Sequence, residues 1–193
     1  MEKAIVLGIT GASGSIYAFR FLENAIKLNL PVECIVSKNA KRVISYELDK
    51  TYEEFKNYFS SKGIKFHPPE NFFSPLASGS YLKKNVRGVV ILPCSVGTLG
   101  AVANGVISNL IHRVSDVAVK EEIPLILAVR EMPLNAIHLE NMLKLQKLGV
   151  KAFPISPGFY GKPSTVEELV DFVVGKIFDL LEVEHQLYKR WGC

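Results

Sequence analysis

Short apolar runs alternate along the chain with longer segments in which apolar residues recur at helical spacing. The apolar runs favour β-strands, and in chain order they are Ala4–Thr10, Val32–Val36, Gly88–Leu92, Leu125–Val129 and Lys151–Phe153. The amphipathic segments predict helices over Ser15–Leu28, Asn39–Leu48, Tyr52–Lys62, Thr98–Val106, Asn109–Glu121, Ala136–Leu148 and Thr165–Leu181. The stretch Gly63–Ser80 contains three prolines and is predicted to be mostly loop.

The order of these elements predicts an α/β fold. Because the strand runs are apolar throughout, we expect helices to cover both faces of a parallel sheet. Strands that alternate with helices along the whole chain are typical of a doubly wound sheet. No internal repeat or linker divides the 193 residues, so the chain is expected to form a single domain.

Composition narrows the classes of function. Apolar residues make up 48% and charged residues 22% of the chain, which is typical of a globular protein. The mean hydropathy of +0.19 is high, yet no run of about 18 apolar residues indicates a membrane span, so surplus apolar surface is expected between subunits. The 23 basic residues outnumber the 19 acidic ones but are scattered, which argues against nucleic-acid binding and suits small anionic ligands.

Cysteine and histidine spacing indicates neither disulfides nor a metal. Cys34, Cys94 and Cys193 are far apart and lack CxxC spacing, as in a cytoplasmic protein with reduced thiols. The first apolar run is too short for a signal peptide, which also favours a cytoplasmic location. Metal-ligand spacing is absent from the four histidines, His67, His112, His138 and His185. We expect no metal and no protein nucleophile.

The residues that follow each strand are the first candidates for a ligand site, because ligands bind this fold beyond the carboxyl ends of its strands. Gly11–Gly14 follows the first strand and begins a helix, so its glycines and free amides suit a phosphate, although a simple tight turn explains the same residues. The second strand ends in Ser37 and Lys38, without the acid that a dinucleotide needs. A mononucleotide is therefore favoured, with its phosphate at the helix start of Gly11–Ser15.

Two further strands end in polar residues. Pro93–Thr98 again leads from a strand into a helix, and either N-capping or ligand binding accounts for Ser95 and Thr98. Arg130 and Glu131 directly follow a strand, where they form either a surface ion pair or part of a ligand site. Two such helix starts in one sheet would put donors on both sides of one cleft.

Outside the strand ends, a few residues become candidates for a ligand site only when they are considered together. Arg113 and Lys120 share one helix face, which is either solvated or part of a site. Glu47 means little in isolation. Tyr160 lies in a Gly/Pro-rich loop that either closes over a site or only connects two elements. Trp191 is the single tryptophan and is expected to pack on its own or a neighbouring subunit.

Taken together, these segments resemble the UbiX flavin prenyltransferase family almost from end to end. The matching motifs include TGASG at 10–14, PCSVGTLGAVANG at 93–105, REMPL at 130–134, HLENM at 138–142, PGFY at 157–160 and RWG at 190–192. The resemblance implies one Rossmann-like, flavodoxin-like flavoprotein domain over residues 1–193. It also implies a homo-oligomer, with a dodecamer favoured and the tail 182–193 packed on a neighbouring subunit.

The resemblance implies a metal-independent prenyl transfer. Dimethylallyl phosphate would be joined to N5 and C6 of reduced FMN, and the product would serve UbiD-type decarboxylases; the family name links it to ubiquinone biosynthesis. The residues implied to bind FMN are Gly11, Ala12, Ser13, Ser37, Ser95, Val96, Gly97, Thr98 and Arg130. Those implied to bind the allyl phosphate are Tyr160 and Lys176, and Glu47, Arg113, Lys120 and Glu131 are implied to be catalytic.

The implied roles agree with the chemistry of these side chains. In place of a metal, cations and hydroxyls assist the departure of phosphate, and either Glu47 or Glu131 relays flavin protons. Two alternatives stay open. An FMN-dependent cysteine decarboxylase would share the fold, but its Pro-Ala-Ser-Ala-Asn-Thr segment is replaced here by Pro93–Thr98. A non-enzymatic FMN carrier would be expected to be acidic, whereas this chain carries a net charge of +4.

Overall fold

A six-stranded parallel sheet forms the centre of the computed structural model, which describes residues 2–192. Strands β1 to β6 are Ala4–Ile9, Val32–Val36, Lys65–His67, Val86–Cys94, Leu125–Val129 and Lys151–Pro154. Their order across the sheet is β3-β2-β1-β4-β5-β6, so the strand order reverses between β1 and β4. The ligand crevice of a doubly wound sheet lies at the carboxyl ends of the two strands at that reversal.

Eight α-helices are described among residues 2–192. Helices α1 to α8 are Ser15–Lys27, Lys38–Glu47, Tyr52–Ser60, Gly79–Asn85, Val96–Ala103, Leu110–Lys120, Ala136–Lys147 and Val166–Leu180. Seven of them begin at a residue whose side chain accepts a hydrogen bond from the first helical turn, namely Ser37, Thr51, Ser78, Ser95, Asn109, Asn135 and Thr165. Helix α1 differs, because its N-cap residue is Gly14, which has no side chain that could accept such a hydrogen bond.

Apolar residues form a separate core on each face of the sheet. On one face α1, α3 and α8 bury large side chains such as Phe21, Phe55 and Phe178. On the other face Leu82 of α4 and Val114 of α6 pack against β4 and β5. Helices on both faces account for the uniformly apolar strands, and the predicted doubly wound α/β fold is confirmed.

Most of Gly63–Ser80 is turn and loop, as predicted, but the segment also contains regular structure that the sequence did not indicate. It contains strand β3, a 3₁₀ turn at Pro75–Ala77 and the first residues of α4. Strand β3 is a three-residue edge strand with polar ends, too short for a period-two pattern to be visible in the sequence. Edge strands of this kind form through pairing with a neighbour, here β2, and not through their own propensity.

Beyond α8 the chain turns back on itself. Residues 183–191 return along α8 of the same chain and contact it through His185 and Tyr188. The expected contact of this tail with a neighbouring subunit stays a prediction, and Cys193 lies outside the described residues. Within residues 2–192, every helix is too short or too polar to cross a lipid bilayer.

Candidate active site

The carboxyl ends of β1 and β4 are joined by hydrogen bonds around Thr10. Its Oγ1 donates to the carbonyl of Pro93 at 2.7 Å and accepts from the amide of Ser95 at 2.8 Å. Ser95 Oγ in turn donates to Thr98 Oγ1 at 3.1 Å and accepts from the Thr98 amide at 3.3 Å. Because Thr10 is buried, these bonds fix the glycine loop after β1 relative to the start of α5.

Helix α2 also meets this edge. The amide of Ser37 donates to the carbonyl of Ile9 at 3.0 Å, so Ser37 lies beside the end of β1. A Cβ atom at Gly11 would lie 2.7 Å from Cβ of Asn39, closer than two such atoms can approach. Glycine at position 11 is therefore required by the packing of α2, whether or not a ligand is bound.

A carboxylate from the same chain occupies the start of α1. Oε2 of Glu47 accepts from the amides of Gly14 at 2.9 Å and Ser15 at 2.7 Å, and Oε1 lies 3.1 Å from the Gly14 amide. Burial raises the pKa of Glu47, but hydrogen bonds from the Ser13 hydroxyl and these two amides outweigh burial and leave the pKa below its ordinary value. Glu47 is thus an ionised carboxylate that contacts Ser13 and caps α1.

The Glu47 contact bears on where a phosphate is expected. A dianion at the start of α1 would compete with this carboxylate for the same amides and would be repelled by it. At the start of α5, by contrast, Ser95 caps the helix with a neutral hydroxyl. A Cβ atom at Gly97 would meet nothing within 4 Å, so there is open space beside the first turn. The first turn of α5 is therefore a second place where a phosphate fits, and the position at Gly11–Ser15 stays a prediction.

Arg130 and Glu131 follow β5 beside this crevice. The amide of Arg130 donates to the carbonyl of Cys94 at 3.0 Å, and its Cγ would lie 4.0 Å from a Cβ atom at Gly14. Arg130 Nε is buried and has no hydrogen-bond partner among the described residues. A buried donor left unsatisfied costs about 1–3 kcal/mol, so an acceptor atom of a ligand fits this position. Glu131 is half-buried, and its Oε1 accepts from the Met132 amide at 3.1 Å.

Arg113 lies in the first turn of α6. Its Nε donates to the carbonyl of Ala77 at 3.2 Å, and its Nη1 pairs with Asp116 at 3.1 Å. The guanidinium is therefore held against the 3₁₀ turn, in a segment that the sequence predicts to be mostly loop.

Lys120 lies at the other end of α6, near the amino ends of the strands. Its Nζ pairs with Oε1 of Glu121 at 3.1 Å, and the Glu121 carbonyl accepts from Lys83 Nζ at 2.7 Å. Lys83 belongs to the helix that leads into β4, and its carbonyl accepts from Lys3, which precedes β1. Within one chain the structure therefore does not bring Lys120 to the edge where Glu47 and Arg130 lie.

Tyr160 belongs to an aromatic cluster between α8 and the tail, and Lys176 lies beside another ring of that cluster. The Tyr160 ring is edge-on to Phe172 and Trp191, with centroid distances of 5.7 and 5.6 Å. Lys176 Nζ lies 5.7 Å from the centroid of the Tyr188 ring, and that ring contacts Phe172 at 4.9 Å. The two residues implied to bind the allyl phosphate are thus neighbours of one cluster, although they are sixteen positions apart in sequence.

Sequence analysis missed two residues that organise these groups, Thr10 and Asp179. A hydroxyl residue at the end of an otherwise apolar strand was a visible signal for Thr10. Asp179 lies on α8 and contacts the tail, and no local pattern reveals such a contact. Among residues 2–192, no three His, Cys, Asp or Glu side chains cluster as metal ligands do; the absence of a metal stays a prediction.

Comparison with known proteins decides the family. A family model described as Flavoprotein matches residues 1–178. The flavin prenyltransferase UbiX of Aquifex aeolicus is 49% identical over 191 residues, which are 99% of each chain. The chain belongs to the UbiX family of flavin prenyltransferases. The family resemblance read from the sequence motifs is confirmed.

Solved UbiX-type structures share the whole fold. AnUbiX, also called PadA1, has been crystallised in complex with FMN and dimethylallyl pyrophosphate; it superposes with a TM-score of 0.92 at 33% identity, over 100% of this chain and 99% of that one. A dodecameric FMN-dependent UbiX-like decarboxylase from Escherichia coli O157:H7 gives a TM-score of 0.90 at 33% identity, over 98% and 100% of the two chains. The flavodoxin-like UbiX fold therefore extends over the described chain.

Proposed function

We propose that this chain transfers a dimethylallyl group from an allyl phosphate to reduced FMN. The observation that carries the proposal is full-length identity of 49% to a flavin prenyltransferase, together with a crevice whose donors fit a flavin mononucleotide. Reduced FMN supplies the nucleophilic N5 and C6 atoms, and phosphate leaves from the allyl group. The cysteine decarboxylase and the non-enzymatic carrier are not favoured, because curated relatives of this identity are flavin prenyltransferases.

FMN would be held at the carboxyl edge of β1, β2, β4 and β5. The residues proposed for it remain Gly11, Ala12, Ser13, Ser37, Ser95, Val96, Gly97, Thr98 and Arg130. The phosphate would take the amides of Val96 and Gly97 with the hydroxyls of Ser95 and Thr98, where a helix dipole favours an anion. The unsatisfied Nε of Arg130 would donate to an acceptor atom of the flavin.

Glu47 is the better supported of the two candidate proton acceptors. The carboxylate is ionised and so can accept a proton, and its contact with the Ser13 hydroxyl offers a path for a proton from the flavin edge. Glu131 stays the second candidate, and its Oε1 accepts from the Met132 amide at 3.1 Å. Both residues stay in the proposed catalytic set with Arg113 and Lys120.

The allyl phosphate would bind at the cluster of Tyr160 and Lys176. Without a metal, a hydroxyl and an ammonium group must offset the charge that develops on the leaving phosphate. The aromatic faces of Phe172 and Trp191 adjoin Tyr160 and would stabilise positive charge on the allyl group.

We infer that a neighbouring copy completes the site. Lys120 and Glu47 lie at opposite edges of one chain, so both can serve one reaction only if Lys120 comes from another subunit. Large apolar side chains exposed on and before α7 suit such an assembly, namely Met132, Ile137, Leu139 and Leu143. A dodecamer, the state of the related Escherichia coli protein, is the proposed assembly.

We also propose a cytoplasmic location and delivery of the product to a UbiD-type decarboxylase. Cys34 and Cys94 are buried free thiols, which fits a reducing compartment. Reactivation of a cofactor-free UbiD-type decarboxylase by the reaction product would test the delivery.

The function is tested by incubating the protein anaerobically with reduced FMN and either dimethylallyl phosphate or dimethylallyl pyrophosphate. Mass spectrometry is expected to find the flavin heavier by one C₅H₈ unit with at least one donor. An unmodified flavin beside decarboxylation of a cysteine-ending peptide would establish the decarboxylase instead. Flavin that is bound but not modified, with neither prenylation nor decarboxylation, would indicate a non-enzymatic FMN carrier.

Tyr160→Phe and Lys176→Ala are expected to bind FMN normally but to prenylate it about ten- to a hundredfold more slowly, since each loses a charge-assisted contact to the leaving phosphate. Lys176→Arg keeps the charge and is the matched control, with a rate near the native one. FMN titration beside single-turnover prenylation measures both effects. Loss of FMN binding in the first two variants, or prenylation at the native rate, would show that the allyl phosphate binds elsewhere.

Glu47→Gln and Lys120→Ala chains are each expected to prenylate FMN much more slowly than the native protein when expressed alone, and to regain part of the native rate when coexpressed. In mixed oligomers some sites would combine a native Glu47 from one chain with a native Lys120 from its neighbour. Coexpression of two differently tagged Glu47→Gln chains is the control and should stay as slow as either chain alone. Mixed oligomers without regained activity would argue that each chain carries a complete site.

A further inference from the structure

One carboxylate on α8 holds the returning tail, residues 183–191. Asp179 accepts from His185 Nε2 at 3.0 Å, from Arg190 Nη2 at 2.7 Å and from the hydroxyl of Tyr188. Three tail residues therefore converge on a single side chain. The same carboxylate pairs at 3.7 Å with Nζ of Lys176, one turn earlier on the helix.

Gly175, also one turn before Asp179, gives the tail room to pack. A Cβ atom at position 175 would lie 2.6 Å from Cδ1 of Tyr188 and 2.8 Å from Cε1 of His185. Glycine in a helix interior is less favourable than alanine, so α8 is locally weakened where the tail rings pack. We call Gly175 and Asp179 together the tail seat.

His185 is fixed in one tautomer within this seat. Its Nδ1 accepts from the amide of Leu187 at 3.1 Å, so the ring proton is on Nε2, which donates to Asp179. The side chain is only 1% exposed, so water cannot replace these partners. Burial raises the pKa of Asp179, but hydrogen bonds from Arg190, Tyr188 and His185 outweigh it and lower the pKa to about 2. The carboxylate is therefore charged across the neutral pH range.

The tail seat determines what surrounds Tyr160 and Lys176. With the tail in place, the Tyr188 ring lies beside Lys176 Nζ, and Trp191 lies edge-on to Tyr160. Both aromatic partners belong to the tail and neither belongs to α8. If the tail left α8, Lys176 would lose its aromatic neighbour and Tyr160 would lose one of its two ring contacts.

We propose that Gly175 and Asp179 are positioning residues for the allyl phosphate, because they seat the tail that orders Tyr160 and Lys176. The proposal rests on the proposed function of those two residues. Neither Gly175 nor Asp179 needs to touch the substrate. Their effect would fall on binding of the allyl phosphate and not on binding of FMN.

Gly175→Ala and Asp179→Asn test the proposal by different routes, one steric and one electrostatic. Both are expected to raise the KM for dimethylallyl phosphate about tenfold or more, as expected for a lost charge-assisted contact. FMN affinity and kcat are expected to change less than about threefold, because the flavin contacts lie on other elements. Gly175→Ala introduces a better helix former, so a failure to fold is not expected from α8 itself.

Fluorescence anisotropy of Trp191, the single tryptophan, reports the tail without any ligand. Release of the tail is expected to lower the anisotropy in both seat variants. Asp171→Asn is the matched control, because Asp171 pairs with Arg20 and Asn24 of α1 and not with the tail. It removes an equally well paired carboxylate from the same helix, and should lower stability without changing KM or anisotropy.

Native KM in both seat variants, or a lowered anisotropy without a change in KM, would overturn the positioning role. An equal rise in KM for Asp171→Asn would also overturn it, since general destabilisation of α8 would then explain the result. The proposed function fails separately, when the native protein itself does not prenylate FMN. If the native protein prenylates FMN and both seat variants are as active as the native protein, only the positioning role of Gly175 and Asp179 is wrong.

Discussion

Gly97→Asp is expected to lower the affinity for FMN about a hundredfold or more, while the protein without FMN becomes no less stable. A carboxylate in the first turn of α5 would lie where the phosphate is proposed to bind, and two anions in contact repel strongly. The same carboxylate favours the helix itself by about 0.3–1 kcal/mol, because acids stabilise helix starts. Open space at position 97 admits the side chain without a clash. Flavin titration and thermal unfolding measure the two opposite effects.

Gly97→Asn is the matched control for this prediction. It has nearly the shape of aspartate but no charge, so it should retain most of the FMN affinity. Native affinity in Gly97→Asp would instead place the phosphate at the start of α1. Similar losses in both variants would indicate that bulk at position 97, and not charge, prevents binding.

Glu47→Gln is expected to slow prenylation about a hundredfold or more, with FMN affinity within a few-fold of native. Glutamine has nearly the same shape but is not a base, so a flavin joined by only one of its two new bonds should accumulate. Single-turnover mass spectrometry resolves that species from substrate and product.

Because the pKa of Glu47 is lowered in the folded protein, its contribution to stability is present above the ordinary carboxyl pKa and is lost as pH falls through the lowered one. The free energy of unfolding of Glu47→Gln should therefore fall less than that of the native protein as the pH is lowered through this range.

Glu54→Gln provides the control for helix capping. Glu54 also accepts a backbone hydrogen bond at a helix start, from the Thr51 amide at 2.7 Å, and its pKa is lowered through hydrogen bonds from the Thr51 backbone and hydroxyl. It lies on α3, away from the crevice, so its loss should leave the prenylation rate unchanged. A native rate in Glu47→Gln would assign proton transfer to Glu131 or to solvent.

Much of the fold could be predicted because the local patterns agree with the tertiary structure. The buried strands β1, β2, β4 and β5 are apolar throughout, and most helices begin at a capping residue that is visible in the sequence. Strand β3 could not be predicted, since its three residues carry no period and form by pairing with β2. Helix α4 follows prolines and glycines that locally indicate a loop.

The candidate site divides in the same way. The glycine loop, Ser95–Thr98 and Arg130 could be located because parallel strands bring their carboxyl ends to one edge. The capping of α1 by Glu47 joins residues more than thirty positions apart, so no local pattern contains it. The contacts of the tail seat depend on a chain reversal after α8, which composition does not predict. Lys120 lies far from Glu47 because an α-helix of eleven residues spans most of the sheet's height.

The capping of α1 by a distant side chain limits how this scaffold can be re-engineered. Gly14 has a φ of 108°, which residues with side chains rarely adopt, so α1 cannot easily be given a Ser or Asp cap of its own. Any design that relocates the base, to accept a different prenyl donor or a different flavin, must therefore leave a carboxylate at position 47 or rebuild the loop after β1. The proposed base at position 47 and the start of α1 that it caps must therefore be redesigned together.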